Sequence, residues 1–164
     1  MASPLEQFEI KTIGPTIEIG GLDFSFTNSA AWMVVATVAA TLLLRVGASR
    51  RALIPGRMQV VAEMAYEFIA NMIRDNVGDA GRRFFPYIFT LFMFILFGNL
   101  LGLIPYSFTY TSHIVVTGAL AIIVFLGVTV VGIARHGLHF FTFFVPSGVP
   151  WIMLPLMIPI EIIS

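Results

Sequence analysis

The sequence predicts an all-α membrane protein with three transmembrane helices, one interfacial amphipathic helix and the start of a fourth, tilted membrane helix. Apolar residues make up 58% of the chain and charged residues only 11%, well outside the usual composition of soluble domains. The run 85–104 carries no charge, and about 20 such residues span the roughly 30 Å of bilayer hydrocarbon as a helix. We therefore expect the chain to be embedded in a membrane.

The amino-terminal residues 1–29 have a different composition, with prolines, a Gly20-Gly21 pair and mixed polar residues. Such a pattern predicts an extramembrane arm with a short hairpin around Gly20, preceding a membrane domain over 30–164. The first span is expected at about 30–46, with Trp32 near one end and arginines at the other. Aromatic and basic residues commonly mark the two edges of a membrane helix.

The next segment, 57–77, is amphipathic. Apolar residues recur there at helical spacing opposite Glu63 and Glu67, and two carboxylates would be costly in hydrocarbon. The pattern therefore predicts a helix that lies in the plane of the interface.

The charge-free residues 84–134 are about long enough for two spans with a turn between them. We expect spans at 85–104 and 114–134, separated by a turn rich in Pro, Ser, Thr and Tyr. Asn99 is the polar exception in the first of these spans, between Gly98 and Gly102. Glycines at this spacing let another backbone approach closely.

The arginines fix the predicted orientation. All of them fall on one side of the predicted topology and Lys11 lies alone on the other. By the positive-inside rule, the amino terminus faces away from the cytoplasm. In a bacterial inner membrane this is the periplasmic side, and a mitochondrial inner membrane is the alternative location.

The carboxyl-terminal residues are apolar but interrupted by four prolines, at 146, 150, 155 and 159. We expect irregular backbone first and then the start of a membrane helix over 150–164. About 15 residues are too few to span a bilayer, and no capping signal precedes Ser164. The expectation is that the sequence stops within this helix.

Two motifs carry a family resemblance. GNLLGLIPYSFTYTSH, which starts at Gly98, and PLMIPIEIIS, which starts at Pro155, resemble subunit a of F-type ATP synthases, most closely those of alphaproteobacteria and more distantly mitochondrial ones. The resemblance implies a static membrane-sector subunit that forms two aqueous half-channels against a rotating c-ring. It further implies that proton flow is coupled to ATP synthesis and that peripheral-stalk b subunits and membrane lipid are partners.

The essential arginine of that family is absent from this sequence. In the family it follows the EIIS motif by about four helical turns, whereas this sequence has three residues after Glu161. The expectation is an amino-terminal fragment that does not translocate protons by itself.

Three residues are candidates for the half-channels. By resemblance, Glu161 lines the half-channel open to the cytoplasm, and the alternative is a wetted interfacial carboxylate. Asn99 matches an asparagine of the opposite half-channel, and the alternative is a packing hydrogen bond. His113 would titrate at the mouth of that half-channel or only cap the third span. Some bacterial relatives carry aspartate where Gly102 stands here.

Two other function classes remain open. A fragment of a secondary transporter would bind solute at the Pro-broken segment, although no internal repeat supports it. A structural membrane protein would use Asn99 and the glycines for packing only. No nucleotide-binding motif, catalytic triad or nucleic-acid signature occurs, so the chain is not expected to be an enzyme by itself. No cofactor or metal site is expected, because the chain lacks Cys and has no carboxylate near His136 and His139.

Overall fold

The structure is a computed structural model that describes residues 9–14, 18–19, 22–23, 25–49, 56–105, 107–137, 139–140 and 153–163. The chain divides into two compact units, Met1–Ile114 and Val115–Ser164.

The amino-terminal arm contains a minimal hairpin. Strands β1 (Glu18–Ile19) and β2 (Leu22–Asp23) pair antiparallel, which confirms the hairpin predicted around Gly20. Asn28 ties the arm to the first helix, because its Oδ1 accepts from the backbone N–H of Lys11 at 3.0 Å. Its Nδ2 donates to the carbonyl of Glu9 at 2.9 Å.

Helix α1 (Asn28–Ser49) begins where the Thr27 hydroxyl accepts from the backbone N–H of Ala30, as helix-capping residues do. It continues beyond the predicted end at residue 46. Its buried face consists of small residues, namely Ser29, Ala36, Ala40 and Gly47. A Cβ on Gly47 would lie 2.6 Å from the Cβ of Ala62. The small face therefore lets α1 approach the second helix closely.

Helix α2 (Arg57–Val77) is followed by a 3-10 segment, Gly78–Phe84, and by helix α3 (Phe85–Gly102). Gly78 ends α2 with a positive φ of 73° and donates its N–H to the carbonyl of Arg74, a conformation that favours glycine. Ile69 and Ile73 are the buried residues of α2, whereas most of its large apolar side chains are exposed; these are Met58, Val60, Val61, Met64, Tyr66, Phe68, Met72 and Val77.

An aromatic cluster joins α2 to α3. The ring centroids of Tyr66 and Phe85 are 4.6 Å apart, and those of Phe85 and Phe89 are 5.2 Å apart. Phe68 and Phe92 form a further pair at 5.7 Å. Offset and tilted aromatic contacts of this kind add to the energy of area burial. They hold α2 beside the first turns of α3.

The second unit contains helices α4 (Ile114–His136, from Val115 onward) and α5 (Leu154–Ile163). No residue of α4 is buried, as expected of an apolar helix whose environment is lipid or a partner chain. Pro159 lies inside α5. The irregular backbone predicted around Pro146 and Pro150 lies outside the described residues.

Within the described residues, three helical segments are long and apolar enough to cross a membrane: Asn28–Ser49, Arg57–Gly102 and Ile114–His136. The second runs through α2 and α3, and its charged residues lie in α2 and the 3-10 segment. The predicted all-α class with three spanning-length apolar helices is therefore confirmed.

Candidate functional site

The loop after α3 folds back onto the helix it has just left. Gly102 ends α3, and Pro105 three residues later cannot donate a helical hydrogen bond. The Ser107 hydroxyl then donates to the carbonyl of Leu101 at 2.6 Å, while the backbone N–H of Ser107 donates to Ile104 at 3.0 Å. These bonds satisfy carbonyls that the end of a helix leaves open.

Tyr110 anchors this loop on α3. Its ring lies directly over Gly98, where a Cβ would overlap the phenol. The Tyr110 hydroxyl donates to the carbonyl of Phe94 at 2.8 Å, and the side chain is only 1% exposed. Burial raises the pKa of the Tyr110 phenol from 10.0 to about 12, because a phenolate would lose its hydration.

The glycine pair of α3 therefore has a different neighbour from the one predicted. Among the described residues, side chains of the following loop cover it: Tyr110 lies on Gly98 and Thr109 on Gly102. The chain reversal after Gly102 brings these loop side chains onto the glycine face.

Asn99 lies beside this contact in the last turn of α3. Its Nδ2 donates to the carbonyl of Ile95 at 2.9 Å, and its Oδ1 accepts from the Thr111 hydroxyl at 2.9 Å. The side chain is exposed. An asparagine amide offers two N–H donors and two oxygen lone pairs. One of each is used here, so one donor and one acceptor remain for a further partner.

His113 follows the same loop immediately before α4. Its ring stacks on the buried Phe108 ring, with centroids 4.9 Å apart and planes 13° apart. Its backbone N–H donates to the carbonyl of Tyr110 at 3.2 Å. The stacking fixes the imidazole against the loop, which leaves both sequence interpretations of His113 open.

Glu161 lies in α5, within the second unit. The helix is described there, but the side chain of Glu161 lies outside what the structure describes. Its assignment to a half-channel therefore stays a prediction.

The structure brings two of the three predicted residues into one loop cluster, since Asn99 and His113 both lie where the residues after α3 pack. It adds Thr111 and Tyr110, which the sequence pattern assigned only to the turn between two spans. The run of hydroxyl residues from Ser107 to Ser112 was the available signal. Hydroxyls in a loop after an apolar helix need partners, and the nearest unused groups are on the end of that helix.

This cluster can hold water without holding charge. The Asn99 amide and the Thr111 hydroxyl each donate and accept hydrogen bonds, and neither ionises near neutral pH. A proton can pass along water hydrogen-bonded to such groups without being bound by them. The arrangement fits an ordering site for water better than a binding site for a cation.

Comparison with known proteins identifies the family. Residues 30–164 match the model of the family described as ATP synthase A chain. The chain is 55% identical over 164 residues to a Rhodospirillum rubrum protein named ATP synthase subunit a, covering all of this chain and 68% of that protein.

Two further relatives with that name agree. The Parvibaculum lavamentivorans protein is 58% identical over 161 residues, covering 98% of this chain and 62% of that protein. The Pelagibacter ubique protein is 47% identical over 162 residues, covering 99% of this chain and 66% of that protein. The family model and the high identity along the chain are two separate findings, and both agree with the apolar helices. The chain therefore belongs to the membrane-embedded ATP synthase A chain family.

Proposed function

We propose that this chain is part of a proton-translocating stator subunit in the membrane sector of an ATP synthase. The subunit forms two aqueous half-channels against a rotating c-ring and couples proton flow to ATP synthesis. It is not catalytic by itself, and peripheral-stalk b subunits hold it in place. The hydrogen-bonded pair of Asn99 and Thr111 carries the proposal, because it presents neutral groups that can order water at the carboxyl end of an apolar helix.

The position of this pair along α3 supports a half-channel open to the periplasm. Phe85 and Asn99 are 14 residues apart, which corresponds to about 21 Å along a helix. The arginines that precede Phe85 belong on the cytoplasmic side by the positive-inside rule. Asn99 then lies in the opposite half of the bilayer of the bacterial inner membrane. His113 would stand at the mouth of the same half-channel.

Glu161 would serve the other half-channel. A carboxylate in an apolar helix costs about 2.5 to 3.5 kcal/mol at mid-membrane and is usually kept for a partner, a proton or a hydrated path. The family resemblance assigns this one to the half-channel open to the cytoplasm. In the complete subunit, Glu161→Leu should abolish proton-driven ATP synthesis. The rate is measured in inverted vesicles whose interior is first acidified and whose medium is then made alkaline.

The Asn99 pair allows a sharper experiment. In the complete subunit within its complex, Asn99→Leu keeps the size of the side chain but removes the amide, both its N–H donors and its oxygen acceptor. We expect proton-driven ATP synthesis to fall at least tenfold per assembled complex, because water would lose its hydrogen-bonding groups in an apolar surround. Thr111→Val should lower the rate less, and Thr111→Ser should preserve it.

Thr90→Val is the matched control on the same helix. The Thr90 hydroxyl donates only to the carbonyl of Pro86, one turn earlier, at 2.7 Å. Its loss removes a threonine hydroxyl from α3 without touching the Asn99 cluster, so the rate should stay unchanged. Wild-type rates in Asn99→Leu would contradict the proposal.

A structural role is the second candidate, and one observation favours it. Asn99 is bonded at both ends within the chain, so the pair would fasten the loop to α3 whatever else it does. In that case Asn99→Leu and Thr111→Val would reduce the amount of assembled complex, while the rate per assembled complex would stay constant. Normalising ATP synthesis to assembled complex separates the two functions.

A further inference from the structure

A groove of about 780 Å³ lies in the first unit between α2, the 3-10 segment and the start of α3. This volume falls within the range of small-ligand sites. The groove is far along α3 from the Asn99 cluster, so it has no part in the proposed half-channel. Its walls combine aromatic rings with charged side chains of both signs.

The groove contains an acidic and a basic side chain on α2 that are not paired with each other. Glu67 and Arg74 both lie on the wall formed by α2. Instead of a carboxylate, the Arg74 guanidinium contacts Asn71, donating to its Oδ1 at 2.7 Å. Among the described residues, neither Glu67 nor Arg74 forms an ion pair. Glu67 and Arg74 are seven residues apart, about 10 Å along the helix, and the contact with Asn71 turns the guanidinium back toward Glu67.

The 3-10 segment contributes a second arginine and a second carboxylate to the groove, Arg82 and Asp79. Arg82 Nε lies 3.9 Å from Asp79 Oδ1, and both side chains are more than 80% exposed. So long and exposed a contact holds its partners weakly. The groove thus offers two guanidinium groups and two carboxylates with no net charge. A solely anionic ligand would be attracted by the arginines and repelled by the carboxylates.

The apolar wall indicates where the rest of a ligand lies. Tyr66, Phe85 and Pro86 line the groove where the apolar helix α3 begins. Other apolar side chains of α2, including Met64 and Phe68, are also exposed. A ligand with a polar head in the groove can therefore extend apolar chains along α3 at the membrane interface.

The geometry points to a binding site for a zwitterionic phospholipid headgroup of the phosphoethanolamine type. Arg74 and Arg82 would hold the phosphate, because guanidinium groups bind phosphate oxygens through paired N–H donors. Glu67 would accept from the primary ammonium, which carries three N–H donors. Because the Arg74 guanidinium contacts Asn71, one helical turn from Glu67, a headgroup with a short linker between phosphate and amine can contact both charged groups.

Headgroup discrimination tests this site. The complete ATP synthase that contains this chain is placed in nanodiscs with phospholipids that carry a photoreactive acyl chain. The probes are phosphatidylethanolamine, phosphatidylcholine and phosphatidylglycerol, and the readout is cross-linking yield on residues 64–89. Choline keeps the net charge but has no N–H donor, so we expect ethanolamine to label about fivefold more than choline. That factor corresponds to roughly 1 kcal/mol.

Two variants assign the groups. Glu67→Gln should abolish the preference for ethanolamine over choline and raise labelling by phosphatidylglycerol, whereas Arg74→Gln should lower labelling by all three probes about fivefold. Asp75→Asn and Arg57→Gln change the same charges on α2 outside the groove and should have no effect. Neither pair of variants touches buried residues, so folding is not at stake.

Three results would overturn the assignment. Equal labelling by the ethanolamine and choline probes in the wild type would remove the role of Glu67. Stronger labelling by phosphatidylglycerol than by phosphatidylethanolamine would identify an anionic site instead. Cross-linking of the groove residues to another protein subunit, with no lipid labelling, would show that a protein covers the groove.

Discussion

The two ends of α3 are built in opposite ways. At the carboxyl end the loop closes over the helix, the Tyr110 side chain is buried and the polar groups are uncharged and hydrogen-bonded within the chain. At the amino end the groove is open, and its charged side chains are exposed with few partners. The same helix thus carries one closed, neutral site and one open, charged site.

The difference follows from the environment each end must meet. In an apolar surround an unsatisfied polar group costs several kcal/mol, so the carboxyl end bonds most of its polar groups within the chain and leaves only part of the exposed Asn99 amide open. At an interface, water and headgroups supply partners, so the amino end can leave its charges unpaired. Substitutions at the closed site should therefore act mainly on stability and proton flow, and those at the open site mainly on ligand binding.

The largest expected effect is at Gly98. Gly98→Ala places a Cβ where the Tyr110 ring lies, so the loop must move away from α3. We expect a loss of about 3 kcal/mol in the free energy of unfolding, at the upper end for overpacking. SDS titration of the chain in mixed micelles measures it.

Gly118→Ala is the control for that experiment. A Cβ on Gly118 has nothing within 4 Å, so the exchange should leave stability unchanged or raise it by up to about 1 kcal/mol through helix propensity. Equal effects at the two glycines would show that the loop does not close over α3.

A smaller effect is expected under the groove. A Cβ on Gly81 would lie 2.6 Å from Cγ2 of Ile73 and 3.0 Å from Cβ of Val77. Gly81→Ala should cost about 1 to 2 kcal/mol, because a side-chain methyl can shift where a buried ring cannot. The same titration checks it. A loss as large as that for Gly98→Ala would show that the 3-10 segment is packed as rigidly as the loop.

Because the Tyr110 phenol is buried, we expect the free energy of unfolding to depend on pH in the alkaline range. Its pKa is raised from 10.0 to about 12 by burial, so its contribution to stability is complete below pH 10 and is lost as pH rises from 10 to 12. Tyr110→Phe should remove this dependence and cost about 1 kcal/mol at neutral pH for the bond to Phe94. Unfolding titrations at several alkaline pH values, with Tyr87→Phe as control, measure the slope. An unchanged slope in Tyr110→Phe would contradict the burial.

The smallest effect is expected at the rim of the groove. Asp79→Asn removes a long and exposed ion-pair contact with Arg82, and such pairs contribute little. The unfolding midpoint should not shift measurably. A clear loss of stability would mean that the open site is held together by its charges, contrary to the comparison above.

The helices of this chain could be predicted because long uncharged runs have few alternatives. The predicted spans at 85–104 and 114–134 compare with helices Phe85–Gly102 and Ile114–His136. The first helix exceeds its predicted end by three residues, because Arg45 was taken as a sign of the helix end although it lies inside α1, before the last turn.

The tertiary contacts could not be predicted in the same way. Gly98 and Gly102 were interpreted as a face for another helix, since nothing in their spacing tells whether a backbone or a loop side chain will cover it. The partnership of Asn99 with Thr111 depends on how sharply the chain turns after Gly102, which is a property of the whole loop. The charges of the groove were likewise interpreted mainly as a topology signal, with contact to anionic lipid as a secondary role, and as the polar side of an in-plane helix.

The contact between Gly102 and Thr109 limits how the family can vary. A substituent at position 102 would enter the space that the Thr109 side chain occupies, so a carboxylate there requires the loop to withdraw or residue 109 to shrink. Relatives that carry aspartate at this position should therefore show a compensating exchange across the turn. An acidic group at position 102 and a threonine packed against it from position 109 are therefore not expected together in one protein.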